Sequence, residues 1–221
     1  MNMRLIKISF LILAMTVIVK SLFIIGKNIK LDDFHKSAII FVIDASASNQ
    51  RKLPEEIKYV KSLCAVLDPE DAVKIIKVAD SSYLIYEGNP GDAQGIEKAI
   101  SSFTNNKTNY STSYGEGIKK ALSFCLTMKQ EGYRPSVIVI GDLMNQGTLQ
   151  KQINWETLPQ NIKGVQKYAP ELAMMFVYAG PEKLDIVKTK LSPILGETRL
   201  VVANEAMVNK SNTRFLKAIG R

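Results

Sequence analysis

The chain predicts an α/β domain built on a mostly parallel sheet with helices on both faces. Three observations carry this. Ala38–Ile43 and Ser136–Ile140 are continuous apolar, β-branched runs, the pattern of strands buried on both sides. Stretches with apolar residues at helical spacing separate such runs. Gly and Pro punctuate the joins.

The elements follow in order. After Ala38–Ile43, residues Leu53, Ile57, Val60, Leu63, Cys64 and Leu67 recur at helical spacing, with Pro54 near the start and Glu55 and Glu56 in the first turn, as a helix N-terminus prefers. Ala72–Val78 is the next strand. Ser81-Ser82 forms a turn, and 83–86 returns antiparallel beside it. Gly88-Asn-Pro-Gly91 is a loop, and 93–103 a short helix. A polar run over 104–113 leads into a longer helix with Ile118, Ala121, Leu122, Cys125 and Leu126 on one face. Pro135 punctuates, and Ser136–Ile140 ends at Gly141-Asp142. A loop over 146–155 precedes a helix at 158–168, a strand at 172–178, a helix at 181–191, a strand at 199–202 and a closing helix at 205–219.

The 221 residues, 46% hydrophobic, suffice for one well-buried domain, read as 37–221, with an appendage. The net charge of +8 is unevenly spread: Arg4, Lys7, Lys20, Lys27 and Lys30 stand in 1–30 without an acid, so the rest carries only +3. No basic face argues for nucleic acid. The basic segment fits a membrane instead. Residues 5–26 are long enough to span a bilayer as a helix, and Lys20 near one end has the stem to reach the headgroups. Residues 1–30 read as an uncleaved signal anchor, with a cleaved signal peptide as the alternative, and 31–36 as a linker. The signal-like layout places the domain outside the cytoplasm; a cytoplasm-facing domain is the other reading. Cys64 and Cys125 sit on apolar helix faces and read as small buried hydrophobes, a disulfide being the alternative. His35 reads as an exposed linker residue.

Five oxygen-bearing residues stand out as divalent-metal ligands: Asp44, Ser46, Ser48, Thr112 and Asp142. Hydroxyls and carboxylates are hard donors that suit Mg²⁺, Mn²⁺ or Ca²⁺. In a parallel α/β sheet, sites gather beyond the carboxyl ends of the strands. Asp44 follows one strand, Asp142 another, and Thr112 precedes the helix leading into the second. Two carboxylates balance the charge of one Mg²⁺, while three hydroxyls add neutral ligands. Such a site accepts one more anionic oxygen, an Asp or Glu side chain of a protein partner. Trp155 and Tyr114 near the same rim are candidate partner anchors or else packing residues, Trp155 being the better anchor candidate because its loop is otherwise polar.

These residues resemble the metal-ion-dependent adhesion site of von Willebrand factor type A domains. Asp44-Ala-Ser-Ala-Ser48 matches the Asp-x-Ser-x-Ser of that family. Thr112-Ser-Tyr-Gly-Glu-Gly-Ile118 is similar to its threonine segment, Val137–Asp142 to its last strand and aspartate, and Leu67-Asp-Pro-Glu-Asp-Ala-Val-Lys74 to its turn into the second strand. The likeness covers roughly 37–203. It implies a Rossmann-like, doubly wound sheet with one short antiparallel edge strand. It also implies Ser46 and Ser48 as direct ligands, Thr112 as a direct ligand when a partner is engaged, and Asp44 and Asp142 acting mainly through waters. Two departures stand out: Tyr110-Ser111 replaces the usual Gly-Gly, and Leu143 the usual Gly after the aspartate.

The expected function is a membrane-tethered adhesion or assembly module, not an enzyme. A cytoplasm-facing scaffold that docks on an ATPase is the alternative. A metal-dependent phosphoesterase is disfavoured because the only histidine is His35. Gly115-Glu-Gly-Ile-Lys-Lys120 lacks the third glycine of a dinucleotide loop, and no Walker-type Gly-Lys-Ser/Thr sequence exists.

Overall fold

A computed structural model describes residues 36–103, 112–144 and 148–221. Residues 5–26, expected to span a membrane, His35 and Tyr110-Ser111 lie outside these residues. Lys36–Arg221 forms one compact unit. Among the described residues no helix is long and apolar enough to cross a membrane.

The strands are β1 (Ser37–Asp44), β2 (Ala72–Val78), β3 (Ser82–Gly88), β4 (Arg134–Ile140), β5 (Ala173–Val177) and β6 (Leu200–Ala203). The helices are α1 (Leu53–Cys64), α2 (Ala93–Ser101), α3 (Tyr114–Gln130), α4 (Leu158–Gln166), α5 (Pro181–Arg199) and α6 (Val208–Ala218). The sheet order is β3-β2-β1-β4-β5-β6, with every pairing parallel except that of the edge strand β3. This is the α/β architecture expected from the sequence.

Every residue of β1 is buried, which explains its unbroken apolar run. Ile39, Phe41 and Ile43 face one core with Tyr59, Val60 and Leu63 of α1, Ile96 of α2 and Phe215 of α6. Ile40 and Val42 face the other with Ile118, Leu122 and Cys125 of α3, Ile162 of α4 and Val187 of α5. The period of two along the strand thus divides the helices between two faces. Both cysteines are buried and free, so the small-hydrophobe reading holds and the disulfide does not.

Two local expectations are corrected. Pro135 lies inside β4, paired with Ala38 of β1 but preceding the ladder to β5, which begins at Ser136. Its missing N–H therefore falls where pairing is one-sided. The helix expected to stop at 191 runs on through Pro193 to Arg199, turning at Gly196, whose φ of 71° favours glycine.

Candidate metal centre

β1 and β4 are parallel neighbours, so Asp44 and Asp142 leave the sheet at the same rim. Backbone bonds fix the chain there. The Ala45 N–H donates to the Val78 carbonyl at 2.8 Å, and the Ser113 N–H to the Ala79 carbonyl at 2.8 Å. The second bond brings the Thr112 segment to the end of β2. α3 lies close on the sheet because Gly117 has no side chain: a Cβ there would stand 2.6 Å from Val78 and 3.1 Å from Val42. Its N-terminus is thereby delivered to the rim.

Four of the five predicted residues form one hydrogen-bonded chain. Asp44 Oδ1 accepts from the Ser46 N–H at 2.8 Å. The Ser46 and Ser48 hydroxyls lie 3.0 Å apart. The Ser48 hydroxyl donates to Asp142 Oδ2 at 3.4 Å. Asp142 Oδ1 accepts from the Met144 N–H at 2.8 Å. Asp44 and Ser46 are buried, Asp142 is half-buried and Ser48 is exposed, so the chain runs outward from the sheet to solvent. The fifth residue, Thr112, is buried, and its hydroxyl has no hydrogen-bond partner among the described residues.

Tyr114 is the link that the sequence did not reveal. Of its two readings, partner anchor or packing residue, its burial fits the packing one: it is 0% exposed. Its hydroxyl donates to Asp44 Oδ2 at 3.0 Å and accepts from the Leu143 N–H at 3.3 Å. Trp155 is half-buried against the core on the α3, α4 and α5 face, a packing position.

Behind Asp44 sits a second polar pair. Asn49 donates to the Asp44 carbonyl at 3.0 Å and to Glu56 Oε2 at 2.7 Å, while Glu56 Oε1 is buried without a partner among the described residues. Glu56 was expected only as an acid in a helix first turn. It stands three residues after Leu53 and four before Val60, on the apolar stripe, and that spacing was the signal for its burial.

The electrostatics follow from burial. Desolvation pushes the Asp44 carboxyl up to about 6; hydrogen bonds from Ser46 and Tyr114 oppose the rise, and repulsion from Asp142 adds to it. Desolvation pushes Glu56 up to about 8, opposed by Asn49 and reinforced by Asp44. Burial, then Asp44, holds the Tyr114 hydroxyl well above its ordinary range, so it stays protonated and donates.

The donor set fits a hard divalent cation. All of its atoms are oxygens, two carboxylates crowd one rim, and the orphaned Thr112 hydroxyl has buried lone pairs to offer. Among the described residues no group of three His, Cys, Asp or Glu side chains gathers, so a cation here would have to rely on the hydroxyls.

The von Willebrand factor type A domain family model matches residues 39–146. The chain is similar in structure to the SpRpn10 VWA domain, at 12% identity and TM-score 0.58, covering 76% of this chain and 87% of that one. It is similar to BatB from Bacteroides thetaiotaomicron, at 15% identity and TM-score 0.56, covering 82% and 98%. It is also similar to proximal thread matrix protein 1 from the mussel byssus in a form described as having a zinc-occupied MIDAS motif, at 13% identity and TM-score 0.54, covering 84% of this chain and 47% of that one. At these identities the likeness shows the fold. Among curated proteins no sequence match is found.

Proposed function

We propose that the chain is a von Willebrand factor type A domain protein, as the family model matching residues 39–146 suggests, and that it binds a protein partner through a divalent cation held at the rim, without turning over a substrate. Ser46 and Ser48 would hold the cation through their hydroxyls, Thr112 would join them when a partner is engaged, and the Asp44 and Asp142 carboxylates would act mainly through waters. When bound, the cation supplies a Lewis-acidic position that takes an exposed Asp or Glu of the partner, and Mg²⁺ suits this all-oxygen set, with Mn²⁺ or Ca²⁺ as alternatives. The observation that carries the reading is the hydrogen-bonded chain from Asp44 to Asp142, together with the buried Thr112 hydroxyl, which has no partner among the described residues.

The residues of this chain divide the work. Asp44 sits deepest, both its oxygens already accepting hydrogen bonds, which leaves it to hold charge near the cation. The exposed Ser48 and half-buried Asp142 form the outer wall that a partner would approach. The basic, apolar N-terminus over 5–26 supports a membrane tether, with the domain outside the cytoplasm.

The test uses the full chain in mild detergent. Mg²⁺ should raise its melting temperature, since a ligand bound only by the native state stabilises it by about 2.7 kcal/mol at a hundred times its Kd. Asp142→Ala should abolish the rise, and EDTA should prevent Mg²⁺-dependent capture of a partner from host membranes. A melting temperature indifferent to Mg²⁺, Mn²⁺ and Ca²⁺ would refute the metal bridge.

A further inference from the structure

We propose that Tyr114 is a positioning residue that sets the geometry of Asp44, and with it the preference of the site for Mg²⁺ over Ca²⁺; this rests on the metal-bridge reading above. The Tyr114 hydroxyl touches two elements at once: it donates to Asp44 Oδ2 at the end of β1, and it accepts from the Leu143 N–H just beyond β4. Asp142 is the neighbour of Leu143, and Tyr114 is the first residue of α3, two positions after Thr112. One buried hydroxyl thus joins the three chain segments that carry the five oxygen ligands.

The space for this bridge is built into the backbone. Gly141 has a φ of 135°, and a Cβ on it would overlap the Tyr114 hydroxyl and stand 2.5 Å from the Asp44 Cβ. Leu143 holds a φ of 56°, in the left-handed region, where its N–H meets that hydroxyl. With Ser46 on Oδ1 and Tyr114 on Oδ2, neither Asp44 oxygen is free to rotate. Groups that orient a metal ligand in this way commonly change metal affinity by 10- to 100-fold. Mg²⁺ demands near-ideal octahedral geometry, whereas Ca²⁺ accepts irregular shells. Loosening Asp44 therefore penalises Mg²⁺ more.

The experiment is calorimetric titration of MgCl₂ and, separately, CaCl₂ into the full chain in mild detergent, for the parent and Tyr114→Phe. Tyr59→Phe is the control, a buried hydroxyl that bonds Asn212 away from the site. Circular dichroism and melting in EDTA establish that each variant is folded. Tyr114→Met, another hydroxyl-free side chain of adaptable shape, repeats the comparison if Phe is not tolerated. The proposal expects Tyr114→Phe to bind Mg²⁺ at least about tenfold more weakly, to lose clearly less for Ca²⁺, and Tyr59→Phe to match the parent. Unchanged Mg²⁺ affinity in Tyr114→Phe, or an equal loss for both cations, overturns the positioning role while leaving the metal bridge standing. A parent that binds neither cation overturns both.

Discussion

Replacing Glu56 by Gln should make the protein's stability far less sensitive to pH. Glu56 is 0% exposed, and its carboxyl is pushed from an ordinary 4.5 to about 8, chiefly by burial. A carboxyl whose pKa is raised by folding binds its proton more tightly in the native state. Its stabilising contribution is complete below pH 4.5 and is lost as pH rises through about 8. Each pH unit between those values is worth about 1.4 kcal/mol. Between pH 5 and pH 8 the loss from this group alone comes to roughly 3 to 4 kcal/mol, on the order of a third of the stability of a typical domain. Gln has the same shape, accepts from Asn49 as Glu56 Oε2 does, and carries no titrating proton. Urea denaturation of the parent and Glu56→Gln at pH 5 and pH 8, both in EDTA, reads the effect directly. The stability difference between the two proteins should shift by about 3 to 4 kcal/mol in favour of the variant at pH 8. Comparing the two proteins at each pH cancels the similar, smaller contribution expected from Asp44. A difference that is the same at both pH values would refute the argument, because it would mean that Glu56 titrates alike in the folded and unfolded chain.

Other outcomes follow from the same geometry. Ser46→Ala should weaken Mg²⁺ binding, read as a smaller Mg²⁺-induced rise in melting temperature, while changing stability in EDTA by about 1 to 3 kcal/mol, since the hydroxyl's contacts to Ser48 and to the Asp44 carboxyl are removed. Gly141→Ala should destabilise the fold by about 2 kcal/mol or more in urea, because its φ of 135° is strained for any L side chain and the new methyl group collides with Tyr114 and Asp44. Leu143→Gly removes about 1 kcal/mol of left-handed backbone strain but also a buried side chain worth about 2 to 3 kcal/mol. A net loss of about 1 to 2 kcal/mol is therefore expected, and an increase in urea midpoint would show that strain dominates at this position.

The order and type of the elements were legible in the chain because they rest on local patterns. The unbroken apolar run of Ala38–Ile43 marked a strand covered on both faces, and the spacing of Ile118, Ala121, Leu122 and Cys125 marked one stripe of α3. Asp44, Ser46 and Ser48 were legible for the same reason, since they lie within five residues on one turn. What needed the folded molecule was everything set by desolvation and long-range approach. Parallel pairing of β1 with β4 brings Asp142 to the Ser48 hydroxyl from 94 positions away. The close seating of α3 turns Tyr114 inward to Asp44 instead of outward to a partner. Glu56 has the same side chain as the other first-turn acid, Glu55, which is exposed; only the packing of α1 on the sheet makes it a buried carboxyl that holds its proton near neutral pH. Periodicity says which way a residue faces along its own element, but how much water it loses depends on what the rest of the fold lays over it.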